Sequence, residues 1–189
     1  NNNKIPYLCV EKLIDSLKLK EEEVISEVII CLRKLANEIK NHTKYILIYS
    51  IKNFKKSINS GQARANIIWM ITQYLHLIPT VAVDFFRRML IDISTESDEV
   101  KSQLIGLAQK LYFSEEFISK KYKTDSKTHI EKLKYLINYA LEKLFYDQNY
   151  NIREKARFAQ LVISSNNEKY KEEFSQKDEK SFEKINESQ

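Results

Sequence analysis

Three histidines, His42, His76 and His129, are the side chains best suited to proton transfer or metal binding near neutral pH. Their spacing argues against both roles. No two stand in an H-x-x-x-H relation, which would place two imidazoles on one helical face, and none lies beside a cysteine pair. Cys9 and Cys31 are isolated from each other and sit inside apolar stretches, so they read as buried, reduced thiols. Nucleophile elbows, P-loops and dinucleotide-binding loops all require glycines at fixed offsets, and the chain has two glycines in 189 residues. The 26 carboxylates are numerous but interleave with Lys on polar helix faces. No catalytic, metal-binding or cofactor-binding constellation converges, and the sequence predicts a protein that is not an enzyme and holds no cofactor.

Recognition chemistry is the remaining option. "YILI" from Tyr45 and "YLHL" from Tyr74 match a tyrosine sorting pattern, and "LIDIS" from Leu90 resembles a clathrin-box peptide. Such signals are read extended and exposed, whereas these lie in helical apolar patterns and read as packing residues. Asn41-His42-Thr43 matches a glycosylation triplet, a signal too short to carry weight alone. Basic pairs at Arg87-Arg88 and Lys120-Lys121, and Lys52 with Lys55-Lys56, could meet acidic partners or anionic lipid, or could be solvated faces. The net charge of +5 arises from 31 basic and 26 acidic residues mixed along the chain, which fits ordinary solubility better than nucleic-acid binding.

The scarcity of Gly and Pro (two each) points away from sheets with tight turns and toward helices. Apolar residues recur at helical spacing almost throughout, predicting helices over 5–17, 24–39, 44–58, 62–77, 79–93, 98–112, 128–146 and 152–163. Asn41 to Thr43 reads as a break, Pro79 as a helix start, and 114–127 as an exposed Lys-rich loop with room for one helical turn. Ala65 to Val83 lacks charge but is interrupted by Asn66, Gln73, His76 and Pro79, so two buried helices explain it better than a membrane span. From Ser164 apolar residues thin out, and 164–189 reads as a charged, peripheral or frayed helical tail.

A repeat underlies these helices. "VISEVIICLRKL" from Val24, "ARANIIWMITQY" from Ala63 and "VKSQLIGLAQKL" from Val100 share one apolar pattern, with starts 39 and 37 residues apart. A period of about 40 residues with two helices per unit is that of HEAT and armadillo solenoids. The expected fold class is therefore all-α, a solenoid of stacked antiparallel helix pairs over 1–163. Ile68, Trp69, Ile71, Leu104, Leu107 and Phe158 are the expected core residues. Each large apolar side chain buried between pairs contributes roughly 1.5–3 kcal/mol.

"ARANIIWMITQYLHLIP" (63–79), "VKSQLIGLAQKLYF" (100–113) and "FYDQNYNIREKARF" (145–158) resemble, in order and spacing, stretches of the beta subunit of adaptor protein complex 3. The similarity extends over about 24–162 and suggests the C-terminal part of that subunit's trunk. Asn151 stands where the family has Asp, and Glu154-Lys155 where it has Asp-Arg. Asn151 can still cap the last helix, with Glu154 completing a capping box. Arg153, in the first turn and opposed by the helix dipole, calls for a carboxylate partner, with Asp147 the expected one.

The resemblance implies a structural scaffold in a heterotetrameric vesicle coat with medium, small and second large adaptor subunits. It also implies a cytoplasmic, peripheral location on endosomal or Golgi membranes and their transport vesicles, and traffic toward lysosome or vacuole. Another HEAT or armadillo transport scaffold, such as a nuclear-import receptor or a different vesicle coat, would explain the period but not the 145–158 motif.

Overall fold

The computed structural model describes residues 4–19, 21–54, 58–120, 126–165 and 169–170, with backbone alone for 4–6 and 126. Among these residues there are helices and no strands. The α-helices are α1 (Lys4–Ser16), α2 (Glu22–Glu38), α3 (Lys40–Asn53), α4 (Gly61–Gln73), α5 (Pro79–Met89), α6 (Asp98–Phe113), α7 (Glu115–Ser119), α8 (Ser126–Phe145) and α9 (Tyr150–Ser164). Two 3-10 segments, Leu75–Leu77 and Leu90–Thr95, follow α4 and α5. The fold class is the all-α, solenoid type that the period implies. The charged tail expected over 164–189 lies, but for a few residues at its start, outside the described residues.

The starts of α2, α4 and α6 are 39 and 37 residues apart, and burial repeats in the same register. Ile29 in α2, Ile68 in α4 and Ile105 in α6 occupy one equivalent position and are all buried. Val28, Ile67 and Leu104 occupy another and are buried too. Along α2 the buried set is Ile25, Val28, Ile29, Leu32 and Ala36, a single stripe at helical spacing.

By contacts the chain divides into two compact units. The first comprises 1–78 and 96–103, the second 79–95 and 104–189, so α6 begins in one and continues in the other. In the first unit α2 packs on α1, α3 and α4, while α1 also packs on α3. This gives two layers, α1 with α3 and α2 with α4. In the second unit α8 packs on α7, on α9 and on the 90–95 segment, which also packs on α5.

Several boundaries differ from expectation for physical reasons. Asn41 to Thr43 do not break the chain but lie in the first turn of α3. The turn is a single residue, Ile39, and the Thr43 hydroxyl donates to the Ala36 carbonyl at 2.9 Å, satisfying an acceptor that the end of α2 leaves open. Ile78 takes a non-helical conformation (φ −138°, ψ 44°) ahead of Pro79, whose ring excludes the α region at the preceding residue. Beyond Met89 the chain tightens into the 90–95 segment, broken at Asp92, instead of continuing as α-helix to Ile93. Within 114–127, Glu115 to Ser119 form α7, Ile118 is fully buried, and Lys134 of α8 holds Glu115 at 2.6 Å. Cys9 and Cys31 are exposed, because each falls beside the buried stripe of its helix and not on it.

Candidate interaction surface

In the first unit α2 packs on α4, and side chains of the two helices meet as a polar and aromatic ridge. The Arg33 guanidinium lies 3.8 Å from the centroid of the Trp69 ring and donates to Asn66 Oδ1 at 2.7 Å. Asn66 is itself oriented by its Nδ2, which donates to the Gln62 carbonyl one turn earlier at 2.9 Å. One turn further along, the Tyr74 hydroxyl donates to Asn37 Oδ1. Burial raises the Tyr74 phenol above its ordinary value, and the nearby Arg33 charge opposes that rise. Trp69 is therefore half-buried under a guanidinium, whereas its neighbours Ile68 and Ile71 are fully enclosed. The expected core role fits those isoleucines better than the indole.

A part-buried ion pair also ties the first unit together. Arg64 near the start of α4 bonds Glu96, just ahead of α6, and stacks 4.7 Å over the Phe54 ring at the end of α3. The start of α4 is pinned further by Ser60, which caps it by accepting from the Ala63 N–H and is itself held by the Ser26 hydroxyl at 2.9 Å.

In the second unit the turn from α8 to α9 carries the motif at 145–158. The cap of α9 is Asn149, whose Oδ1 accepts from the Asn151 N–H at 2.8 Å. Asn151 thus lies inside the first turn and is not the cap, and Glu154 pairs with Arg157 at 2.6 Å instead of closing a capping box. The Asp147 carboxylate accepts from the Asn149 N–H at 2.9 Å. Arg153 reaches backbone carbonyls instead of that carboxylate, donating to those of Asp147 (2.8 Å) and Gln148 (2.9 Å). The turn presents these oxygens to the helix start, so a neutral acceptor pair answers a cation that the dipole disfavours. Arg157 stacks 4.7 Å over Phe145.

Leu104 and Leu107 are enclosed, but Phe158 is 59% exposed and Leu161 69%. The buried stripe of α9 is Ile152, Ala156, Ala159, Val162 and Ile163, and Phe158 lies off it. Arg87 and Arg88 are exposed and share Asp84, at 2.8 and 3.1 Å. Lys120 is exposed, and Lys121 lies outside the described residues. Among the described residues no cluster of His, Cys, Asp and Glu could hold a metal ion, and no helix is long and apolar enough to cross a membrane.

Sequence reasoning saw Trp69 but missed Arg33, Asn66 and Asn37. The signal that could have found them is the overlay of the repeats, in which Ile30 and Trp69 are equivalent and Arg33 lies one turn beyond Ile30.

The chain is similar to known adaptor subunits. It is 32% identical over 167 residues to AP-3 complex subunit beta-2 of Mus musculus, a match covering 87% of this chain and 14% of that protein. It is 30% identical over 159 residues to AP-3 complex subunit beta-1 of Homo sapiens, covering 84% and 13%. Against the AP-3 complex subunit beta of Schizosaccharomyces pombe it is 26% identical over 157 residues, covering 83% and 20%. The chain thus spans well under a quarter of the length of these relatives. The family model for the adaptin N-terminal region matches residues 7–167, and the expected placement in a C-terminal part of the trunk gives way to that assignment. With α2, α4 and α6 recurring in one register inside that span, the chain belongs to the adaptin N-terminal region family.

Proposed function

We propose that this chain is part of a large scaffold subunit of a heterotetrameric vesicle-coat adaptor complex, of the kind named AP-3 in its relatives. The observation that carries the reading is the match of the adaptin N-terminal region across 7–167, joined by similarity to AP-3 beta subunits from mammals and yeast. In this role the chain performs no reaction and holds no cofactor. Its helix pairs support neighbouring repeats and present surfaces to the medium, small and second large subunits. The complex would act in the cytoplasm as a peripheral coat on endosomal or Golgi membranes, moving cargo toward lysosomal or vacuolar compartments. A nuclear-import receptor shares the repeat architecture, but the family match favours the adaptin reading over it.

The test is affinity purification of the full-length protein containing this segment. Co-purification of one medium, one small and one other large adaptor subunit is expected. Recovery of the full-length protein with none of them, and with import cargo instead, would overturn the reading.

A further inference from the structure

We infer that the α2–α4 ridge is a docking site for a carboxylate side chain of another subunit of the coat, with Arg33 as its anchor. The inference deepens the adaptor reading and rests on it.

Among the described residues Arg33 has no carboxylate within ion-pair distance; its partners are the Asn66 amide oxygen and the Trp69 ring face. A guanidinium carries five N–H donors in a planar fork suited to bidentate carboxylate recognition, and the Asn66 bond uses one of them. Arg33 is also held in place. Trp69 supports its flat face and Asn66, locked by its bond to Gln62, fixes its edge, so little side-chain freedom is left to lose on binding.

The surroundings favour an acid. Helical spacing puts Ser26, Ile30, Arg33 and Asn37 in one column of α2, and Gln62, Asn66, Trp69 and Gln73 in the facing column of α4. Between Ser26 and Asn37, and between Gln62 and Gln73, neither column contains Asp or Glu; the acids next in line on α2 are Glu22 and Glu23, one turn before Ser26 and more than two turns from Arg33. Arg, Trp and Tyr together are the residue types that dominate binding energy at protein–protein contacts. A lipid headgroup surface is instead met by clusters of several Lys and Arg. Here one fixed cation is flanked by amides, an indole and a phenol, and that chemistry selects an Asp or Glu on a protein surface.

The experiment uses the full-length chain co-expressed with the medium, small and second large adaptor subunits as probes. Arg33→Gln should weaken capture of one of these subunits about thirtyfold or more, the range for losing one member of a desolvated charge pair, and flatten the salt dependence of capture. Arg33→Lys should keep part of both. Retention of the other two subunits, with unchanged helical content, marks the effect as local. In parallel, a photo-crosslinking residue at the exposed Gln73 of the otherwise unaltered chain should join a subunit peptide containing Asp or Glu. Unchanged capture of all three subunits by Arg33→Gln, or a crosslink to a peptide with no acidic residue or to no subunit, would sink the docking site while leaving the adaptor role standing. If the unaltered chain captured none of the subunits, the adaptor role itself would fall.

Discussion

A methyl group added at Gly61 would fall on the Ser97 hydroxyl and lie 3.0 Å from Ser97 Cβ. At Gly106, by contrast, an added Cβ meets nothing within 4 Å. Gly106 is inside α6, so local propensity favours alanine there by up to about 1 kcal/mol, and by less at Gly61, the first residue of α4. At Gly61 the approach of the segment ahead of α6 overrides that preference. The Ser97 hydroxyl can rotate away, but its Cβ cannot without moving backbone that Glu96 ties to Arg64. Gly61→Ala should therefore destabilise the chain by about 1–2 kcal/mol, as modest overpacking does. Gly106→Ala should stabilise it by about 0.5–1 kcal/mol. Chemical denaturation of the two variants beside the unaltered chain checks both signs. A Gly61→Ala midpoint equal to or above that of the unaltered chain would mean the Ser97 contact has no energetic consequence.

The junction of α8 and α9 shows how an element boundary is specified by several weak local bonds. Asp147 accepts from the Asn149 N–H, Asn149 accepts from the Asn151 N–H, and Arg153 returns to the carbonyls of Asp147 and Gln148. Removing the guanidinium takes away two bonds, one part-buried and one exposed, so Arg153→Ala should cost about 0.5–1.5 kcal/mol. Both bonds come from one nitrogen, Nη1, and a lysine ammonium also carries three donors on one nitrogen, so Arg153→Lys should recover most of that. Thermal melting of the two variants decides it, and equal midpoints for Ala and Lys would show that the carbonyl bonds contribute nothing. The starts of α2, α4 and α6 were legible in the sequence to within two residues, because each carries a long apolar stripe and helical period is the strongest local signal. The short helix α7 was legible only as room for a turn within a loop. Its burial rests on one residue, Ile118, and one ion pair to α8, neither of which has a periodic signature. Phe158 is an expected core residue, yet the spacing of Ile152, Ala156, Ala159 and Ile163 already points the other way. The Arg33–Trp69 stack joins residues a full repeat apart. Such contacts become readable only when the repeats are laid over one another.

Across the whole chain the excess of five positive charges is spread among 31 basic and 26 acidic residues, and several of the cations are paired locally. Arg87 and Arg88 share Asp84, Lys18 pairs with Asp15, Lys134 with Glu115 and Arg157 with Glu154. Glu115 accordingly raises the Lys134 ammonium above its ordinary value, and Lys18 lowers the Asp15 carboxyl below its own. Interleaved pairs of this kind cancel one another's field within about 8 Å at physiological ionic strength, so they do not sum to the continuous basic stripe that tracks a phosphate backbone. The chain should therefore bind a single-stranded RNA with a dissociation constant weaker than about 1 µM at 0.15 M salt, and without sequence preference. Fluorescence anisotropy with a labelled RNA, repeated at several salt concentrations, measures this directly. Sub-micromolar, sequence-selective binding would show that the basic residues act together despite their partners, and would move this family member from scaffold toward nucleic-acid reader. The physical reason to expect otherwise is that acids and bases share the same solvent faces at helical spacing, so that Lys18, Arg87, Arg88 and Arg157 each meet an anion of their own helix or the turn beside it and Lys134 meets one of the helix before.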